Sequence, residues 1–135
     1  MKLEPCVSLH FNGNCEDALA FYERHLGAKV SFKLTWGDSP MANEAPPGWS
    51  KKVLHASFMV GDTQFAGGDV VPTAYQVPRG FSITLSLDDL QYAERLFEVL
   101  AENGTVTLPI QQTFWAKLFG SVTDPFGISW EINCE

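Results

Sequence analysis

The sequence runs twice through one order of elements: a strand, a helix and three more strands. Residues 7–12 alternate Val7, Leu9 and Phe11 with Ser8, His10 and Asn12, the pattern of a half-buried strand. Asn12-Gly13-Asn14 breaks it, and Asn14 stands where a helix N-cap belongs. Over 16–26, Ala18, Leu19, Phe21, Tyr22 and Leu26 fall on one helical stripe, which Gly27 ends. A strand follows at 30–36. Residues 37–50, with three prolines and two glycines, form a loop. Two strands at 52–60 and 63–68 join at Gly61-Asp62. A second loop, 69–80, carries Pro72, Pro78 and Gly80. The cycle then restarts with a strand at 81–87 and a helix from Asp88-Asp89 to 103, closed by Gly104. Strands at 105–112, 116–123 and 128–134 complete it, the last two linked by Asp124-Pro125-Phe126-Gly127.

Residue identities support the repeat. Ala18 matches Ala93 and Glu23 matches Glu98, each 75 positions on, with Phe21-Tyr22 over Leu96-Phe97. The first strands overlay better at 76, where Val7, Leu9 and Phe11 meet Ile83, Leu85 and Leu87. The first copy therefore carries one extra residue in its strand–helix turn, near Gly13.

Two such copies predict a single α+β domain over 1–135, with modules at about 5–70 and about 80–135. The predicted form is a curved mixed-sheet cup with a helix behind each sheet. By alternation the cup face carries Ser8 and His10, then Ser82, Thr84 and Ser86, then Ser129, Glu131 and Asn133. Ile128, Trp130 and Ile132 point to the helix side.

Composition narrows the functions. The chain is 45% hydrophobic and holds ten Phe, four Trp and three Tyr, enough for one packed core and an apolar pocket. Trp36, Trp49 and Trp115 flank loops, and Trp115 is a candidate pocket wall. A formal charge of −7 with no basic run argues against nucleic acid. No apolar stretch is long enough for a membrane span, and residues 1–5 lack the apolar core of a secretory signal. Cys6, Cys15 and Cys134 are odd in number and form no C-x-x-C pair, which fits reduced thiols in a cytoplasmic protein. Cys6 and Cys134 read as structural residues on strands. His25 reads as a favourable charge at a helix C-terminus.

Four segments carry a resemblance: F-N-G-N-C-E-D-A-L-A-F-Y at 11–22, L-H-A-S-F-M-V-G-D at 54–62, Q-T-F-W-A-K-L-F-G-S-V-T-D-P-F-G at 112–127 and W-E-I-N-C at 130–134. They resemble the PhnB-like branch of the vicinal oxygen chelate superfamily, which includes glyoxalase I, extradiol dioxygenases, and fosfomycin and bleomycin resistance proteins. The resemblance implies paired βαβββ modules, a small-molecule ligand and a homodimer. Some members of the branch are labelled demethylubiquinone methyltransferases. This chain has no glycine-rich loop after its first strand to support that activity.

The resemblance also implies a divalent metal (Ni, Mn, Fe or Zn) held by one side chain from the first and last strand of each module. Here those positions carry Glu131, Ser82, Ala66, and Cys6 or Val7 according to where the extra turn residue is counted. Only Glu131 is a strong ligand. His10 and His55 could join Glu131 in a two-His, one-carboxylate set, or any of the three could act as an acid or base without metal. Three functions follow. The chain is a small-molecule binder of the PhnB-like branch with a degenerate metal centre and a pocket including Ser8, Ser82, Thr84 and Trp115. Alternatively, it is a metal-dependent lyase, isomerase or dioxygenase, or a resistance-type protein that sequesters a drug.

Overall fold

A computed structural model describes residues 1–135 as two units, Met1–Gln76 and Val77–Glu135. Each is a four-stranded mixed sheet backed by one helix, and both run in the expected order. The first unit contains β1 (Val7–Phe11), α1 (Cys15–Leu26), β2 (Lys29–Thr35), β3 (Val53–Val60) and β4 (Thr63–Asp69). A short 3-10 turn, Ala42–Glu44, lies within the long loop. The second contains β5 (Ile83–Leu87), α2 (Leu90–Ala101), β6 (Thr105–Gln111), β7 (Leu118–Thr123) and β8 (Ser129–Cys134). The sheet orders are β1-β4-β3-β2 and β5-β8-β7-β6. In each unit the first strand pairs parallel with the last, and the other neighbours are antiparallel.

Alternation buries one side of β1, β3, β4, β7 and β8. In the first unit Leu9, Phe11, Val53, Phe58 and Phe65 are buried with Ala18, Leu19 and Tyr22 of α1. The Tyr22, Phe58 and Phe65 rings form a stack, with centroids 6.2 Å and 5.4 Å apart. In the second unit Ala93, Leu96, Phe97 and Leu100 of α2 are buried with Val122, Trp130 and Ile132. Each such large apolar side chain contributes roughly 1.5–3 kcal/mol on leaving water. Pro109 sits in β6, an edge strand with an irregular register beside it, where a missing N–H does least harm.

Three local expectations need correction. Asn14 precedes α1 but makes no capping hydrogen bond, and its side-chain oxygen is buried without a partner. The acceptor for the first helical N–H comes instead from the end of the sheet: Asp69 Oδ1 accepts from Cys15 N at 2.9 Å. Cys6 lies before β1 and is exposed, so it is not a strand residue; Cys134 is buried at the end of β8. Ser82 likewise precedes its strand, which begins at Ile83. Elsewhere the local signals hold. Asp89 caps α2 by accepting from Tyr92 N at 3.1 Å, and Gly27 ends α1 in the left-handed conformation at φ 67°.

Gly120 shows how closely the second helix approaches its sheet. A β-carbon there would lie 2.7 Å from the Phe97 ring and 2.9 Å from the Ile110 Cα. Gly120→Ala is expected to cost about 1–3 kcal/mol by overpacking, read as a lower urea midpoint with an unchanged slope.

Candidate ligand-binding site

The face of each sheet away from its helix carries the polar side chains, and strand register sorts them into rows. In the first unit Ser8 and Ser57 both stand opposite Ala66, giving the row Ser8–Ala66–Ser57. One step along the same face, His10 stands opposite Gly68. The β3–β4 ladder ends at Ala56 opposite Gly67, and beyond it the irregular β3 backbone brings both the Leu54 carbonyl and the His55 Cα close to Gly68. The second row is therefore His10–Gly68, with His55 beside it.

The second unit repeats the rows with other chemistry. Thr84 and Ser121 both stand opposite Glu131, and Ser86 and Phe119 both stand opposite Asn133. Glu131 thus corresponds to Ala66, and Thr84 to Ser8. The Thr84 hydroxyl donates to Glu131 Oε1 at 2.8 Å. Asn133 donates from its amide to Glu135, while its side-chain oxygen is buried and unpartnered.

A pocket of 260 Å³ opens over the second row of the first unit. Ser8, His10 and His55 supply its polar side chains, and Trp36, Leu54, Val70 and Val71 its apolar walls. A β-carbon on Gly68 would collide with the Leu54 carbonyl, so glycine lets the β3 backbone lean over β4 at the centre of the pocket. The His55 ring lies 6.0 Å from that of Phe32, its neighbour on β2.

Asp69 also lines this pocket, and its role had no signal in the sequence, which put it at the start of a loop. It is 3% exposed. Its carboxylate accepts from Cys15 N at 2.9 Å and Val53 N at 3.3 Å, and its carbonyl accepts from the Trp36 indole at 3.2 Å. One residue thus fixes the start of α1, the start of β3 and a pocket wall. Burial pushes the Asp69 carboxyl above its ordinary value, against the opposing pull of backbone N–H groups of Cys15, Val53 and Gly13 and the charge of Lys52. The same burial, with Asp69 next in effect, pushes the Cys15 thiol up to about 12, so Cys15 stays protonated and inert.

Of the other sequence-selected residues, Thr84 and Glu131 are adjacent in the second unit and Ser82 lies just before them. Trp115 is half-exposed in the loop between β6 and β7, stacked edge-on between Phe114 and Phe119 at 4.7 Å and 5.2 Å. It lines a separate recess with Gln112, Thr113 and Lys117.

The donor set does not suit a four-ligand divalent metal. Glu131 is flanked by two hydroxyl residues, its counterpart is an alanine, and Ser82 offers only a neutral hydroxyl. No group of three or more His, Cys, Asp or Glu side chains is placed to hold an ion.

Comparison with known proteins agrees with this architecture. Residues 8–132 match the Glyoxalase/Bleomycin resistance protein/Dioxygenase superfamily. Protein YjdN of Escherichia coli is 36% identical over 141 residues, covering 98% of this chain and 95% of its own. The crystal structure of PA1353 from Pseudomonas aeruginosa is 42% identical, with a TM-score of 0.87, covering 99% of this chain and 98% of its own. The PhnB protein of Bacillus cereus shares the fold at 22% identity, with a TM-score of 0.84 and coverage of 98% and 100%.

Proposed function

The chain belongs to the Glyoxalase/Bleomycin resistance protein/Dioxygenase superfamily, and from that premise we propose that it binds a modest, partly apolar small molecule in the pocket of its first unit. The observation that carries this reading is the 260 Å³ pocket itself: apolar walls with two imidazoles and a serine. That is the composition of a small-ligand site, mostly apolar with a few convergent polar groups. His10 and His55 supply imidazole hydrogen-bonding groups, and Ser8 supplies a further hydroxyl. The row of Thr84, Glu131 and Ser121 gives the second unit its own polar face, where the Glu131 carboxylate accepts from the Thr84 hydroxyl.

The metal-dependent lyase, isomerase or dioxygenase reading needs ligands where this chain has Ala66, Ser82, and Cys6 or Val7. The residues present therefore favour binding, or chemistry by side chains alone, over the superfamily's metal reaction. The sequestering reading shares the same pocket and differs only in the absence of a product. We take the working form to be a homodimer, which the PhnB-like resemblance supports, and the compartment to be the cytoplasm, which three unpaired cysteines support.

Three aromatic probes test the pocket: neutral indole, anionic benzoate and cationic benzylamine. At least one is expected to shift the His10 and His55 ring resonances in a saturable way. Val71→Trp, which fills the pocket from its wall, should weaken that probe roughly tenfold or more. If no probe moves both rings, or if Val71→Trp binds as well as the native chain, the pocket is not the site.

A further inference from the structure

We propose that His10 and His55 form a seat for one transition-metal ion of the imidazole-preferring kind, Zn(II), Ni(II) or Cu(II), wholly within the first unit. The seat does not use the position corresponding to Glu131, which here is Ala66 and lies one row away. It does not depend on the small-molecule reading, since the ion alone is the ligand.

The placement follows from register. His10 on β1 stands opposite Gly68, the His55 backbone on β3 lies beside the same glycine, and both histidines line one pocket. Two strand spacings separate their backbones, roughly 10 Å. Zn–N bonds of about 2.0–2.1 Å in a tetrahedral site ask for ring nitrogens roughly 3.3 Å apart, which two imidazoles leaning inward over one intervening strand can reach. The intervening residue is glycine, and the space its side chain would fill is taken by the Leu54 carbonyl, so only a backbone oxygen, itself a neutral donor, stands between them. Both histidines are exposed and line the same pocket, and neither makes a salt bridge. Asp69, the carboxylate that lines the pocket, is occupied by backbone N–H groups of α1 and β3 and is not a competing ligand. Leu54, Val70 and Val71 wall the seat and limit the water around an ion.

Binding requires His55 to turn from Phe32 toward His10. An exposed side chain changes rotamer in picoseconds to nanoseconds, so this motion places no large barrier in the way. Two imidazoles leave the remaining coordination positions to water, which makes the seat open.

The test is a calorimetric titration of Zn(II), Ni(II) and Cu(II) into the full chain, made without an affinity tag. The chain carries Cys6→Ser, so that the exposed thiol does not compete. One equivalent is expected to bind, with affinity lowered roughly tenfold or more by His10→Ala and by His55→Ala alike, and unaltered by His25→Ala. Cu(II) should broaden the His10 and His55 ring signals together and spare His25. Thermal melts without metal check that the histidine variants fold. The proposal is overturned if no one-equivalent event occurs with any of the three ions. It is equally overturned if either His variant binds as the parent does, or if Glu131→Gln removes binding as fully as His10→Ala.

Discussion

Asp124→Ala is expected to destabilise the protein by about 3–5 kcal/mol, because it leaves several buried N–H donors without an acceptor at about 1–3 kcal/mol each. Against a total of ~5–15 kcal/mol for a typical domain, that leaves little margin. Asp124 is 3% exposed and holds three donors. Its Oδ1 accepts from Phe126 N at 2.8 Å and Ile128 N at 3.0 Å, and its Oδ2 accepts from the Trp130 indole at 2.8 Å. The first two set the turn between β7 and β8. The third fixes the largest fully buried side chain. Trp130→Phe removes one of the three and keeps most of the apolar volume, so it should cost distinctly less. Urea unfolding of both variants ranks them. Equal losses would mean that the turn contacts contribute little and the indole bond carries the effect.

Asp69→Asn should cost about 1–3 kcal/mol at neutral pH. The amide oxygen can still accept from Cys15 N, but its NH₂ then faces the Val53 N–H, donor against donor. The pH dependence has a definite sign. Burial raises the Asp69 carboxyl in the folded state above the unfolded 3.8, so folding favours its protonated form. That contribution is fully present below pH 3.8 and is lost as pH rises through the higher folded value. Asparagine has no such slope. The gap between native protein and variant should therefore widen as pH falls from neutral toward 3.8, in urea titrations at several pH values. A gap that narrows instead would mean that the N–H bonds outweigh burial and hold Asp69 as the anion.

These two aspartates also mark where reading the sequence stops. The alternation of Leu9 and Phe11 and the stripe of Ala18, Leu19 and Tyr22 report burial directly, because periodicity is a property of neighbouring residues, although Val7 at the strand's start is exposed. The duplicated order, the strand and helix assignments and the helix-side residues Trp130 and Ile132 were legible for that reason. What Asp69 and Asp124 do depends on which distant N–H groups the fold brings to them, and a local pattern holds no record of that. Asp124 showed only as part of a turn between strands. Asn14 had the right residue type for a cap, yet a carboxylate from the end of β4 reached the helix first. The site follows the same division. Alternation put Ser8, His10, Thr84 and Glu131 on the open faces, while the shared pocket of His10 and His55 needed the strand order. Ser82 and Cys6 were misplaced by a residue or two at strand ends, where propensity fades before the hydrogen-bonding ladder does.

The parallel pairing of first and last strands has a consequence for how each unit is made. A strand of this kind cannot find its partner by zipping from a hairpin, because β4 is the last strand of its unit to appear. Until it does, β1 has no neighbour, and Leu9 and Phe11 have no sheet to lie in. Loop closure over the whole unit must come before that contact gives any return, which makes this docking the slow, non-local step. Asp69 is the final residue of β4 and the one that grips the start of α1. During synthesis the unit can therefore latch only once that residue has emerged, and the second unit must likewise wait for β8, its own last strand.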